Sequence, residues 1–303
     1  MHKAQLRVAE SATYLLADKV KDYFQLIKFT LSFTVVFSCV VCYLLAPNVS
    51  FNLASVLLLF IAGMCITGSA NAVNQASEKD TDALMKRTAQ RPVAAGRMSV
   101  NEAYIFALIA GVVGTIILWQ WFNFNSAVIG LVSLFIYGFI YTPLKKINSV
   151  AVLVGAFPGA LPCLIGWVAA TNEFSAGGWI LFAIQFIWQF PHFWAIAWIS
   201  HNDYSKAGFK LLPSEKGPTK FTALQTVMYS MIMIPIGMLP YYFNISGITS
   251  MWVLLACNLC MLCFSVVLFI KMNAAAARRV MFGSYFYLMI VFLSLLFDKV
   301  RPI

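Results

Sequence analysis

Residues 51–73 read FNLASVLLLFIAGMCITGSANAV, and residues 74–92 continue NQASEKDTDALMKRTAQRP. The first stretch carries no charged side chain. As an α-helix it would reach roughly 35 Å, enough to cross the roughly 30 Å hydrocarbon core of a bilayer. The second stretch is polar throughout, and in it Asn74, Glu78 and Asp82 recur at i, i+4 and i+8. At 3.6 residues per turn they spread over about 80° of the circumference, so their oxygens share one helix face. Asn71 lies close to that face, and Asp80 points nearly the opposite way. An apolar span that ends in an aligned set of oxygens organises the reading of the whole chain.

The composition agrees with a membrane solvent. Of the 303 residues, 61% are hydrophobic and only 11% are charged, against roughly 25% charged in soluble domains. Runs of spanning length occur near 27–47, 51–73, 101–119, 124–142, 148–170, 178–199, 222–243, 247–270 and 280–297. They predict an all-α integral membrane protein, with about nine transmembrane helices around a central cavity that opens to the cytoplasmic side. Residues 1–303 read as one polytopic domain whose first 26 residues are a polar cytoplasmic leader. That leader includes Lys3, Arg7, Glu10, Asp18, Lys19, Lys21 and Asp22 and does not resemble a cleavable signal. Pro158 and Pro162, with Gly155, Gly159 and Gly166, predict a kinked or broken fifth span. The cysteines, Cys39, Cys42, Cys65, Cys163, Cys257, Cys260 and Cys263, all fall in apolar runs. Small buried residues are expected there, not disulfides or a metal site.

Charge sorts by side. Lys3, Arg7, Lys19, Lys21 and Lys28 precede or open span one, and Lys79, Lys86, Arg87, Arg91 and Arg97 follow span two. Lys145 and Lys146 follow span four, Lys206, Lys210, Lys216 and Lys220 follow span six, and Lys271, Arg278 and Arg279 follow span eight. Only Lys299 and Arg301 fall on the other side. The positive-inside rule then places the N-terminus in the cytoplasm and the C-terminus outside, in the inner membrane of a bacterium. The net charge of +10 comes with no basic stripe interleaved with aromatics, so no nucleic-acid partner is expected. Trp119, Trp121 and Trp179 stand where interface anchors belong.

Two long connections on the cytoplasmic side hold the chemistry: residues 74–100 and 200–221. In the first, carboxylates gathered at a cavity mouth repel one another unless a cation neutralises them, and a hard divalent ion suits their oxygens. Lys86, Arg87 and Arg91 follow closely, as a site gripping phosphate oxygens would require. The plainer alternative is a solvated, charge-mixed loop. The second connection follows Gln189-Phe-Pro-His192-Phe-Trp194. If one helix runs through it, Gln185, His192, Asp203 and Lys210 share a face. An intramembrane His is a functional candidate, and neutral His is a good axial ligand for haem iron. A His bonded to a neighbouring carbonyl is the alternative. Trp188, Phe190, Phe193, Trp194 and Trp198 could line a flat apolar cavity or form ordinary aromatic surface. Tyr141-Thr-Pro143-Leu-Lys145-Lys146 closes span four and offers a cation.

These stretches together resemble the UbiA superfamily of intramembrane prenyltransferases over nearly the whole chain. Asn74-x3-Glu78-x3-Asp82 stands where the family usually has Asn-x3-Asp-x3-Asp. Asp82-Ala-Leu-Met-x-Arg87-Thr-x-x-Arg91-Pro92, Tyr141-Thr-Pro-Leu-Lys145, Gln189-Phe-Pro-His192-Phe-Trp194 and Asp203-Tyr-x-x-Ala-Gly208 are similar to the branch that farnesylates protohaem IX. Two positions depart from the pattern: Glu78 replaces Asp, and Ala207 stands where a second-motif Asp is common. The resemblance implies transfer of a farnesyl group from farnesyl diphosphate to a vinyl group of haem B, a substrate and not a cofactor, with Mg2+ or Mn2+ assisting. It implies metal binding by Asn74, Glu78, Asp82 and Asp203, with Asn71 a weaker candidate, and diphosphate binding by Arg87, Arg91, Lys145 and Lys206. It gives catalytic roles to Asn74, Glu78, Asp82, Asp203 and Lys145, and haem contact to His192 and His201. Implied partners are the lipid bilayer and a downstream haem-modifying enzyme or terminal oxidase assembly factors. Other acceptors, a quinone precursor or a chlorophyllide, are the alternative within the enzyme class. A transporter would need polar groups deep in several spans, whereas ionisable groups here cluster at one surface.

Overall fold

Uninterrupted apolar runs become long helices because a bilayer offers no other partner for backbone N–H and C=O groups. The computed structural model describes residues 17–214 and 216–300; Lys3, Arg7, Glu10 and Arg301 lie outside the described residues. Eight helices are long and apolar enough to span: α3 (Leu53–Ser77), α5 (Val100–Trp121), the composite Phe124–Leu144, α8 (Ala151–Thr171), α9 (Ala176–Ile199), α11 (Lys220–Tyr242), α12 (Ile248–Lys271) and α13 (Ala274–Phe297). A ninth span is broken, with α1 (Ala17–Leu26) and α2 (Phe29–Leu45) meeting at 53°. The composite span joins α6 (Phe124–Phe135), a π-helical stretch (Ile136–Tyr141) and α7 (Thr142–Leu144). Short helices α4 (Lys79–Leu84) and α10 (His201–Lys206) lie in the two long polar connections. Every one of the nine predicted runs is therefore found as a helix.

The span ends are set by local capping. Asn52, Ser99, Asn123, Thr219 and Asn273 each accept a hydrogen bond from the backbone N–H three residues on, closing the starts of α3, α5, α6, α11 and α13. Interior and exterior helices differ sharply. In α8 and α9, 78% and 72% of the apolar window is buried, whereas the other six unbroken spans stay at 39% or below. Close approach depends on small residues. A Cβ on Gly166 would collide with the Cys39 carbonyl, fixing α8 against α2. Ser69 Oγ donates to the Ala107 carbonyl (2.6 Å) between α3 and α5.

The fifth span corrects the expectation of a break. α8 runs through both prolines because neighbouring helices supply donors to its carbonyls. Pro162 has no N–H for the Pro158 carbonyl, which accepts instead from Ser133 Oγ (3.4 Å). Gln189 and Gln185 donate to the carbonyls of Ala156 (2.9 Å) and Gly159 (2.7 Å). The interruption falls at Ile27–Lys28, where Lys28 takes a left-handed backbone (φ 48°, ψ 58°). Carbonyls freed there are again capped from outside: Gln75 donates to Gln25 and Leu26 (2.9 Å each), and Asn71 to Ile27 (3.2 Å). All seven cysteines are unpaired, as expected, but Cys260 and Cys263 are exposed on the outer face of α12, since three-residue steps drift around the helix.

Candidate functional site

α3 stops at Ser77, and Glu78 (φ −105°, ψ 15°) joins it to α4. The i+4 register nevertheless survives the joint, because Glu78 N donates to the Asn74 carbonyl (3.0 Å) and Asp82 N to the Glu78 carbonyl (2.7 Å). Asn74, Glu78 and Asp82 are therefore held together and buried, at 1%, 3% and 1% exposure, while Asp80 faces out. Asn74 Nδ2 donates to Glu78 Oε2 (2.8 Å) and to Thr142 Oγ1 (3.1 Å). Thr142 caps the π-helical stretch by donating to the Tyr137 carbonyl (2.9 Å).

Three cations lie against these oxygens. Lys145 Nζ pairs with Glu78 Oε1 (2.5 Å), Arg91 Nη1 donates to Asp82 Oδ2 (2.7 Å), and Lys28 Nζ donates to Asn74 Oδ1 (3.0 Å). Burial lowers the pKa of Lys145 below the ordinary lysine value, opposed by the Glu78 charge beside it. Asp82 Oδ1 is buried without a hydrogen-bond partner. Carboxylate and amide oxygens with one lone pair left over fit a hard, oxygen-loving divalent cation, and Asn74, Glu78 and Asp82 are the residues that would hold it.

The second polar connection folds over the first. Lys210 N donates to the Lys145 carbonyl (2.7 Å), the Lys145 ammonium lies 5.1 Å from the Phe209 ring, and Arg87 Nη2 reaches Tyr204 Oη (3.4 Å). Phe209, Met85 and Ala207 form a small apolar cluster between the two. The chain turns at Ser200, so α10 is a separate helix and does not continue α9. As a result Asp203 and Lys210 do not lie on a continuation of the α9 face that carries Gln185 and His192. Among the described residues no three His, Cys, Asp or Glu side chains converge on a metal-sized site, so Asp203 is not gathered with Glu78 and Asp82. Lys206 is exposed. His201, beside Ser205 and under Gly217, lines a separate pocket of about 170 Å³.

His192, in contrast, lines a cavity. That cavity, of about 700 Å³, is lined by Lys21, Lys28, Arg87 and Arg91 at its polar end and by His192, Phe193 and Tyr285 further in. A second, apolar cavity of about 520 Å³ lies among α2, α3, α8, α9 and α13. Tyr141, Gly155, His192, Phe193 and Tyr285 border both. These volumes lie in the usual range for organic ligands. Of the aromatic group read from α9, Trp188 and Phe193 border a cavity, whereas Phe190, Trp194 and Trp198 are buried in the helix packing. Sequence reasoning missed Lys28, Tyr137 and Thr142. The π-helical register of 136–141 has no periodic signature, and Lys28 looked like one more topology-setting charge.

A helical membrane protein whose buried carboxylate and amide oxygens pair with cations lining one cavity, beside a second and apolar cavity, has the two surfaces that an amphipathic anion requires. The chain belongs to the UbiA prenyltransferase family, whose profile matches residues 35–295. It is 45% identical over 285 residues to the protoheme IX farnesyltransferase of Cytophaga hutchinsonii, covering 94% of this chain and 100% of that one. It is 41% identical to the enzyme of the same name from Flavobacterium psychrophilum, covering 92% and 94%. Its fold matches a digeranylgeranylglyceryl phosphate synthase (TM-score 0.77, 19% identity, 93% and 99% covered). It also matches a UbiA homologue from Archaeoglobus fulgidus bound to GPP and Mg2+ (TM-score 0.66, 17% identity, 90% and 99% covered).

Proposed function

We propose that this enzyme transfers the farnesyl group of farnesyl diphosphate to a vinyl group of haem B, with addition of water, to give haem O. The observation that carries the reading is one cavity with two chemistries. Lys21, Lys28, Arg87 and Arg91 line its polar end, and His192 stands where it meets the apolar cavity. The diphosphate would lie among the cations and the prenyl chain along the apolar walls.

Asn74, Glu78 and Asp82 are assigned to a divalent ion, Mg2+ first and Mn2+ second. Asp203, on α10, is assigned to it on resemblance alone. Bound there, the ion would supply positive charge to the leaving diphosphate. Lys145, Arg87 and Arg91 would add fixed charge that counts for more as the C–O bond breaks than before it. Lys206 and His201 keep outer roles, in diphosphate entry and at the haem edge. The allylic cation would form beside Tyr141, Phe193 and Tyr285, where apolar walls limit capture by water until the vinyl group has added. His192 is assigned to the haem. The positive-inside pattern supports a cytoplasmic mouth, a cytoplasmic N-terminus, an outer C-terminus and the bacterial inner membrane, with a haem-modifying enzyme or oxidase assembly factor taking the product.

The test is incubation of the purified protein with haem B, farnesyl diphosphate and Mg2+, followed by mass analysis of the porphyrin. Addition of farnesyl plus water is expected. Unmodified haem alongside prenylation of a quinone precursor would refute the acceptor.

A further inference from the structure

Ser284, on α13, is fully buried, and its hydroxyl has a single proton. That proton is given to the Met281 carbonyl, at 2.6 Å. The same Oγ lies 2.7 Å from His192 Nδ1, where the ring's tautomer decides which atom donates; with one hydroxyl proton, both short contacts are satisfied together only if Oγ donates to the carbonyl and accepts from the ring. His192 Nδ1 therefore carries the hydrogen. Nε2 is left as the imidazole nitrogen with a free electron pair, on a ring that borders both cavities, and among the described residues it has no hydrogen-bond partner. The ring is also fixed in plane. It stacks on Trp188 at 4.8 Å and 16°, and the Trp188 indole N–H donates to the Ser284 carbonyl (3.0 Å). One residue of α13 thus holds both rings, by its main chain and by its side chain.

We propose that Ser284 is a positioning residue that sets the His192 tautomer and aims Nε2 as an axial ligand for the iron of the haem acceptor. The inference rests on the haem reading above and deepens it. Coordination transfers the Nε2 pair to iron with no proton released, because Nδ1 already holds it. In the other tautomer Nε2 would carry the proton, and iron could be bound only after the proton moved. Loss of the hydrogen bond to the far nitrogen of a metal-bound imidazole commonly changes metal affinity by about 10–100-fold.

Ser284→Ala removes Oγ and leaves the carbonyl that holds Trp188, so packing is retained; Ser284→Thr retains the hydroxyl. Ferric haem B is titrated into the purified protein and followed by optical and EPR spectra, with binding of inorganic diphosphate and Mg2+ as the integrity control. Wild type and Ser284→Thr should give an imidazole-ligated spectrum. Ser284→Ala should bind haem at least about 10-fold more weakly with that signature diminished, and His192→Ala should lose it, both with diphosphate binding intact. Separately, 15N NMR of histidine-labelled protein without haem should show His192 protonated at Nδ1 in wild type and a mixture of tautomers in Ser284→Ala. Wild-type spectra and affinity in Ser284→Ala, or Nε2 protonation in wild type, would overturn the proposal while leaving the haem reading intact. Failure of wild type to bind haem B at all, with the Nδ1 tautomer present, would overturn the acceptor reading and the ligation with it.

Discussion

Replacing Lys145 by methionine removes a charge and keeps the length of the side chain. Lys145 and Glu78 form a 2.5 Å ion pair with side chains 9% and 4% exposed, and Glu78 Oε2 keeps one further hydrogen bond, from Asn74. In Lys145→Met the Glu78 carboxylate would lose the ammonium paired directly with it and keep only the hydrogen bond from Asn74. Breaking one side of a buried pair costs about 3–5 kcal/mol. In Lys145→Met/Glu78→Gln both charges are gone and the amide can still accept from Asn74. The double variant should recover most of the loss, leaving about 1 kcal/mol for imperfect packing. The double variant is therefore expected to be about 2–4 kcal/mol more stable than Lys145→Met. The difference is read from unfolding in mixed micelles titrated with SDS, followed by tryptophan emission. Turnover separates from stability: both variants lack a cation at the leaving group and should lose about 100-fold or more in kcat/KM. A Lys145→Met protein as stable as wild type, or a double variant no more stable than the single, would refute the reading of this contact as a buried pair.

Asp82→Ala should abolish metal-dependent release of diphosphate, and full activity in isolated membranes would sink the metal assignment. Gly155→Ala would place a Cβ 2.6–3.2 Å from three ring atoms of Tyr141. The ring must swing into the junction of the two cavities, so prenyl-acceptor turnover should drop about 10-fold or more with diphosphate affinity unchanged; equal loss of both in a binding assay would contradict this. Lys28→Gly keeps the left-handed backbone at no steric cost but removes the ammonium. It should weaken diphosphate binding by roughly 10-fold with little change in SDS resistance, and calorimetry with inorganic diphosphate checks it. Gln189→Leu leaves the Ala156 carbonyl without its external donor and should destabilise the fold by about 1–3 kcal/mol, measured by the same SDS titration.

Much of the fold was legible because a bilayer makes hydrophobic length nearly equivalent to helix. The aligned trio was legible because the 3.6-residue period carries through the joint at Glu78, where the i+4 hydrogen bonds are kept although the helix itself is not. What stayed hidden depends on tertiary contact. The prolines of α8 signal a break in the sequence, yet the helix runs on, with Ser133 of α6 donating to the Pro158 carbonyl that Pro162 leaves free. The converse holds at Ile27–Lys28, an ordinary-looking dipeptide whose interruption is sustained by Asn71 and Gln75 from α3. A continuous helix would put Asp203 on the face of Gln185 and His192, and the turn at Ser200 ends α9 before that residue is reached; its metal assignment rests on the resemblance. Ser284 has no motif around it. Its role follows only from which atom its proton faces.

Lys28 and Arg91 line the cavity, whereas the oxygens they hold, on Asn74 and Asp82, lie behind them. Lys145 likewise covers Glu78. With Lys21 and Arg87 also lining the cavity, five basic side chains stand near two carboxylates, a surplus of basic groups in a poorly polarisable environment. A diphosphate head would correct the surplus, and each cation that turned toward phosphate would release the oxygen it now occupies. The acidic trio would thus become available as the anion arrives, and a metal accompanying the diphosphate would be favoured over a metal alone. Lys28 has the freedom to make that exchange, since it sits at the break between α1 and α2 in a left-handed conformation that a lysine adopts at some cost. Binding of Mg2+ should therefore be weak without diphosphate and strengthen in its presence. Equal Mg2+ affinity with and without inorganic diphosphate, measured by calorimetry, would refute the exchange of partners.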